Sequence, residues 1–412
     1  MKLWLGFVLC VACGGSAPDL FDGGTGDASS GVDVTADVPA ACPSGQTRCG
    51  ATCIDTSADT KNCGACGGAC QGTDVCSASA CVTCDKIDVD QDGYNACVDC
   101  NDNDPNVNPG AFDVPSNGID DDCNGKADDT TTCDAKIATD TKDANDFAHA
   151  MEMCDPWVTA ATFPTVADDR AHQVAPDWGV FKVQMGSSMA ALSNGIAADE
   201  DDTGYVAPQT GTNFGKQGTA YPLTPAQFSC GNATLNDPTT VNDYTELSVS
   251  LKVPTNANSF QLDVNYLTTD APEWLCTQYD DQALILMTSK SVTNADVLLD
   301  SADRHISVNA SYLVLNDAPS LQGTGMEVMT AQNQLAGGAT GWMTVTVPVT
   351  PGDAITLRFV IFDVVDSIYD SQLLMDHFRW STQKVCGPQT ADPLYDGGAP
   401  EGGDAGNPDG GC

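Results

Sequence analysis

The sequence is short of positive charge: 16 Lys and Arg stand against 57 Asp and Glu, a formal net charge of −41. Phosphate backbones and anionic lipid surfaces are held by basic patches, so nucleic acid is excluded as a partner and cations are favoured. Histidine is also scarce. The four present, His149, His172, His305 and His377, stand in unrelated contexts with no H-E-x-x-H or G-x-S-x-G nearby, and they read as surface or hydrogen-bonded side chains. Long apolar runs are missing as well. A membrane-crossing helix needs about 20 apolar residues, whereas the N-terminal run stops after Leu3 to Ala12 and is broken by Gly6.

That run follows Met1-Lys2 and ends at small residues, the shape of a short secretory signal. Val11-Ala12-Cys13 resembles the lipobox of bacterial lipoproteins, with Cys10 where that family usually has Leu. The resemblance implies a signal peptide over 1–12, acylation of Cys13, and attachment to a bacterial outer membrane or cell surface through that lipid. An ordinary signal peptide would instead release a secreted protein with Cys13 unmodified, and either way the chain is exported. The twenty cysteines agree, because cytosolic reductants would keep them as thiols.

Composition then divides the chain. Residues 13–41 and 387–412 are rich in Gly, Asp, Ser and Ala without a periodicity that could bury a face, so they read as a flexible tether and a disordered tail. The tail ends in Cys412, whose partner is open. Residues 42–83 carry Cys42, Cys49, Cys53, Cys63, Cys66, Cys70, Cys76 and Cys81 but almost no apolar core. Covalent links must replace burial there, each contributing about 2–4 kcal/mol. Cys63-Gly-Ala-Cys66 has the spacing of half a zinc site or of a redox pair. The absence of histidine and the oxidising compartment favour structural disulfides, among about a hundred pairings. The text CPSGQTRCGATC to CQGTDVCSASACV resembles the Cys-rich repeat of stigma-specific-protein type found in myxobacterial surface proteins.

Residues 84–132 carry the chemistry. Asp88-Val-Asp90-Gln-Asp92-Gly93-Tyr94 through Asp99 can be counted as a twelve-residue calcium loop. Carboxylates then fall at its first, third, fifth and last positions, glycine where the backbone turns sharply, and the Tyr94 carbonyl just after it. Asp99 replaces the bidentate Glu of an EF-hand, and no long apolar helices flank the loop, so an ion-organised coil is expected. Asp120, Asp122, Asn124 and Gly125 repeat the order, with Asp128 following, and Asp102 and Asp104 add oxygens between the two. Thirteen acidic residues against two lysines over 84–129 repel strongly once solvent is reduced. Oxygen-only, flexible ligands suit calcium in the range of about 10⁻⁴–10⁻³ M. A solvated acidic run is the opposing reading, and it leaves the phased glycines and asparagines unexplained. Disulfides among Cys84, Cys97, Cys100, Cys123 and Cys133 would preorganise the loops. The stretch from D-x-D-x-D-G-Y to N-G-I-D-D-D-C-N-G resembles the MopE-type metal-binding motif. That resemblance implies a bound metal and adds copper as the rival, since the name-giving member is associated with it. Copper favours nitrogen and sulfur donors, and 84–130 contains no His or Met.

From 133 to 386 the period changes to two. Leu247, Val249, Leu251 and Val253 alternate with polar residues, as do Phe260 to Tyr266, Met343 to Val349 and Ile355 to Ile361, with Gly, Pro, Asn and Asp between the runs. These are half-buried strands, so the fold class is mainly β: an antiparallel, jelly-roll-like β-sandwich behind a disulfide-rich knot and an Asp-rich metal-binding coil. One helix is predicted over Asp143 to Cys154, with Phe147, Met151 and Cys154 on one face. Ala271-Pro-Glu273-Trp274-Leu-Cys276, Gly341-Trp342 and Pro351 to Phe378 resemble the choice-of-anchor L domain of bacterial surface proteins, whose biochemical role is poorly defined. Asp363, Asp366, Asp370 and Asp376 could converge at a sandwich edge as a second metal site, or serve as turn residues and a partner for Arg358. Cys154, Cys230, Cys276 and Cys386 complete the cysteines expected in disulfides.

The expected function is that of a non-enzymatic, calcium-binding cell-surface lipoprotein. Its sandwich would contact a glycan or protein ligand, beyond a spacer stiffened by calcium. Copper capture is the alternative, and a secreted carbohydrate-active enzyme the second, with Glu273 and Asp280 as an acid pair. Exposed Trp274 or Trp342 would stack on sugar, although tryptophan in a sandwich is usually core.

Overall fold

The alternating runs are paired in register. In one sheet Leu247, Val249 and Leu251 of the strand Thr240–Lys252 face Phe359, Leu357 and Ile355 of Ala354–Asp363. In the other, Phe260, Leu262 and Val264 of Ser259–Thr268 face Val347, Val345 and Met343 of Met343–Pro348. The side-chain period of two sends one set from each strand inward, and both sets meet in a single core with Ile285, Leu373 and Met375. The first sheet is completed by Val158–Thr165 beside Thr240–Lys252 and by Gln282–Thr288 beside Ala354–Asp363. The second runs on through Ser371–Ser381, Met189–Ser193 and His172–Ala175. All these pairings are antiparallel. The computed structural model describes residues 42–129, 132–208, 211–315, 321–329 and 335–391. The predicted signal peptide, Cys13 and the tether lie outside the described residues, as does the tail from residue 392.

Three details depart from the sequence reading. The helix is shorter, Ala144–Ala150, capped by Asp143, whose side chain accepts from Asn145 N–H. It stops because Glu152 takes a positive φ of 60°, while Phe147 and Met151 still reach the core. Gln389–Thr390 pairs with Met343–Pro348, so an edge strand occupies the start of the stretch that composition assigns to the tail. The outer faces are not wholly polar either: Leu284, Leu286, Val360 and Phe362 are covered by Tyr221 and Tyr244, and Leu374 and Met189 by Trp178. Among the described residues no helix is long and apolar enough to cross a membrane.

The N-terminal module is two short hairpins, Thr47–Cys49 with Thr52–Ile54 and Asp74–Ser77 with Ala80–Thr83. It is closed by Cys42–Cys53, Cys49–Cys66, Cys63–Cys76 and Cys70–Cys81, which makes Cys63 and Cys66 members of different disulfides. Cys230–Cys276 closes a loop of the sandwich, and Cys386 is disulfide-bonded as well.

The coil is not a free spacer. Phe112 N–H donates to Asn256 Oδ1 at 3.0 Å, and Asn256 Nδ2 donates back to Phe112 O at 2.8 Å. Thr255 N–H donates to Gly110 O and Thr255 Oγ1 to Asn108 Oδ1, both at 2.8 Å. Phe112 also packs against the sandwich core, so the second half of the coil is seated on the sandwich.

Candidate metal centre

Two turns of the coil share one backbone. Asp88 and Asp120 begin them, Gln91 and Cys123 follow with φ of 66° and 59°, and Gly93 and Gly125 have φ of 96° and 95°. At that last position an L side chain is strained, which is why both turns carry glycine. Gly93 N–H donates to Asp88 Oδ2 at 3.2 Å and Gly125 N–H to Asp120 Oδ2 at 2.9 Å. Tyr94 N–H donates to Asp92 and Lys126 N–H to Asn124 in the same way. The Tyr94 hydroxyl also lies over Gly110, leaving no room there for a Cβ. Cys84–Cys97 closes the first turn, and Cys100–Cys123 ties the second to the residue after Asp99. Cys133 pairs instead with Cys154, which fastens the coil to the sandwich.

In the first turn the carboxylates of Asp90, Asp92 and Asp99 offer oxygens within 4.8 Å of one another, as do Asp88, Asp90 and Asp102. The Oδ2 atoms of Asp90, Asp92 and Asp99 are buried and have no hydrogen-bond partner. A buried acceptor left unpaired costs about 1–3 kcal/mol, and more when it is charged. Three facing each other therefore call for a cation between them. Burial pushes the Asp99 carboxyl up against the Asn101 N–H bond that favours the anion, and Asp92, Asp90 and Asp102 push the same way. Cys100 and Cys123 lie near Asp99, but their sulfurs are joined in a disulfide and are poor ligands. The donor set is oxygen, which fits calcium and fits copper badly.

The second turn contributes a different trio: Asp113, Asp122 and Asp129, again within 4.8 Å. Asp113 accepts N–H bonds from Asp121 at 2.7 Å, Asp122 at 3.2 Å and Asp129 at 3.1 Å. Burial raises the carboxyls of both Asp113 and Asp122, whereas the Asn124 amide holds that of Asp129 down. Several predicted ligands do other work here. Asp120 shapes its turn, Asn124 Nδ2 donates to Asp122 and Asp129, Asp104 caps Asn106, and Asp128 accepts from Asn117 and Gly118 N–H. Asp113 lies ahead of the loop pattern, and only the fold brings it in.

The four sandwich aspartates do not form one site. Asp363 and Asp370 join Asp270 and Asp281 in a buried cluster, with Asp366 at its rim; burial raises every one of these carboxyls, and neighbouring acids add to this for Asp270, Asp363 and, through Asp243, Asp370, whereas the bond from Asp270 lowers Asp281. Asn194 Nδ2 bridges Asp281 at 2.8 Å and Asp363 at 2.9 Å. Asp281 and Asp370 are both pushed up to about 7. Among the described residues, no trio within 4.8 Å includes any of them, and Asp370 Oδ2 is buried without a hydrogen-bond partner. Arg358 is engaged elsewhere, with Glu246. Asp376 lies apart from them, midway along the strand Ser371–Ser381, accepting from Gln184 N–H at 2.5 Å beside Glu152. Glu273 is exposed, whereas Asp280 is buried and takes the Asn309 amide at 2.7 Å. The indole nitrogens of Trp274 and Trp342 are buried, and Trp274 leans on Tyr279. His305 and His377 are paired with Asp296 and Asp263, and His172 is buried.

Glu152 supplies a pH prediction. Burial first, and its neighbour Asp376 next, push its carboxyl from 4.5 up to about 10. The folded state thus keeps a proton that the unfolded chain has released, so stability falls as pH rises from the unfolded value toward the folded one. Glu152→Gln keeps a donor for Asp376 without that proton. Thermal melts across about pH 5–9 are expected to show a flatter profile than wild type and a higher melting temperature at the alkaline end.

Residues 99–129 match the model of the MopE copper-binding family, described as "Putative metal-binding motif". The match takes in the second trio and Asp99, and it leaves Asp88, Asp90 and Asp92 to rest on geometry. No curated protein matches the chain. Among solved structures, TmCBM61 in complex with β-1,4-galactotriose aligns over 60% of this chain and 100% of its own at 7% identity, with a TM-score of 0.24, too weak a likeness to carry an argument.

Proposed function

We propose that this chain is a non-enzymatic, calcium-binding protein of a bacterial cell surface, with a sandwich that holds a ligand. The observation that carries the calcium reading is the set of partnerless, buried oxygens on Asp90, Asp92 and Asp99 in an all-oxygen environment. Eight described disulfide pairs support an oxidising compartment. A lipid on Cys13 would tether the chain, and the resemblances to the stigma-type repeat and the choice-of-anchor L domain favour a surface protein. Ion binding would be coupled to ordering of the coil, as in other sites whose ligands repel one another until the cation arrives.

Copper is the second reading, because the family matched over 99–129 is named for it. Calorimetric titration of the full oxidised chain, first with calcium and then in competition with copper(II), separates the two. Calcium is expected to bind at about 10⁻⁴–10⁻³ M and to slow proteolysis of the coil. Absence of heat together with unchanged protease resistance at millimolar calcium would sink the reading, and displacement of calcium by equimolar copper would favour the alternative.

A further inference from the structure

We infer that the cavity where the coil meets the sandwich binds a neutral saccharide, held between aromatic side chains and a cation on Asp113, Asp122 and Asp129. The inference rests on the calcium reading above. The cavity has a volume of about 440 Å³, and its walls include Phe112, Trp157, Trp380, Asp113, Asp122 and Asp129. Pockets for small ligands begin at about 300 Å³, so there is room for roughly two sugar rings.

The walls differ in chemistry. Trp157, Trp380 and Phe112 are half-buried at the cavity, and Trp380 is fixed by edge contacts with Phe260 and Phe378, its ring 4.9 Å from the latter. Phe112 is fixed by its two backbone bonds to Asn256. Rigid aromatic surfaces offer large apolar area at little entropic cost. The other wall is the second acidic trio. Calcium takes six to eight oxygens, and three carboxylates leave part of that shell to be filled from the cavity. A pyranose ring has what both walls need: an apolar face of C–H groups, and neighbouring hydroxyls that are neutral oxygen donors. Arg379 also lines the cavity. Its Nε donates to Gln261 and its Nη1 to the His377 carbonyl, so it is a fixed part of the wall. The net charge of −41 disfavours anionic sugars on approach.

The arrangement also explains why the coil is seated on the sandwich, since neither half alone has both walls. Phe112 comes from the coil, Trp157 from the segment after the Cys133–Cys154 disulfide, and Trp380 from the strand Ser371–Ser381.

The test uses the full oxidised chain and four neutral probes: cellohexaose, mannohexaose, xylohexaose and a galactan oligomer. Tryptophan fluorescence and calorimetry are read with calcium and with chelator. At least one probe is expected to bind, with calcium strengthening it by about tenfold or more. Trp380→Ala and, because Trp380 also packs on the core, Trp157→Ala are expected to weaken it by about tenfold while leaving the heat of calcium binding intact. Asp129→Asn should lose the calcium dependence. Calcium heat without binding of any probe, or probe binding that both tryptophan variants leave unchanged, overturns the saccharide site and spares the calcium reading. Absence of calcium heat overturns the reading beneath it and, with it, the cation bridge.

Discussion

In chelator, Asp99→Asn protein is expected to melt above wild type, and in about 10 mM calcium below it. The crossing follows from the sign of each term. Without an ion, Asp99 is a buried carboxyl facing Asp90 and Asp92, with an oxygen that has no donor. An amide removes the charge and relieves that repulsion. With calcium, the same oxygen is a ligand. Its loss is expected to weaken binding at the first turn by about a hundredfold, or about 2.7 kcal/mol. At a calcium concentration about a hundred times the dissociation constant, an ion stabilises the folded state by about 2.7 kcal/mol, and the variant forfeits most of it. Melting curves of both proteins in the two buffers decide the matter. Parallel curves that never cross would mean that the trio around Asp99 is not an ion site.

Arg358→Ala should destabilise by about 3–5 kcal/mol, the cost of stranding one member of a buried ion pair. Arg358 Nε and Nη2 meet Glu246 Oε1 and Oε2 at 2.7 and 2.8 Å, Nη1 meets Asn294 at 2.6 Å, and Tyr244 donates to Glu246 at 2.6 Å. Burial works against the Glu246 anion, and the bonds from Arg358 and Tyr244 overcome it, holding its carboxyl below the usual range. With the guanidinium gone, a carboxylate whose side chain is 6% exposed is left with one donor. Denaturant unfolding gives the loss directly. Replacing both partners with apolar residues, Glu246→Leu with Arg358→Met, should recover most of it, because no charge is then left unpaired. A double variant as unstable as the single one would show that packing by the Arg stem, and not the pair, is at stake.

What could be seen in the sequence depended on which faces are covered. Thr240–Lys252 and Ala354–Asp363 alternate because inward and outward residues differ along most of their length. Gln282–Thr288, with Ala283 to Met287 buried, does not alternate, because one set enters the main core and the other lies beneath Tyr221 and Tyr244. A five-residue apolar run of that kind does not distinguish strand from buried helix. The two turns of the coil were legible because glycine and aspartate at fixed spacing are a backbone requirement. Asp113 was not, since Ala-Phe-Asp-Val-Pro carries no turn signal and its place beside Asp122 and Asp129 depends on the chain folding back. Nor did the sequence say which tryptophans border a cavity. Trp274 and Trp342 stand near family-like text, whereas Trp157 and Trp380 differ from them only in what the fold lays beside them.

The four disulfides of the N-terminal module are staggered so that each covered interval overlaps the next: 42–53, 49–66, 63–76 and 70–81. Every peptide bond from Cys42 to Cys81 therefore lies inside at least one closed ring. A protease that cuts any one of them adds a water molecule to the mass and releases nothing. Between there and Cys154, the rings 84–97, 100–123 and 133–154 leave three short seams, 81–84, 97–100 and 123–133. Among the described disulfides, those seams are where a single cut falls outside every ring, and two of the three border the aspartates proposed to close around calcium.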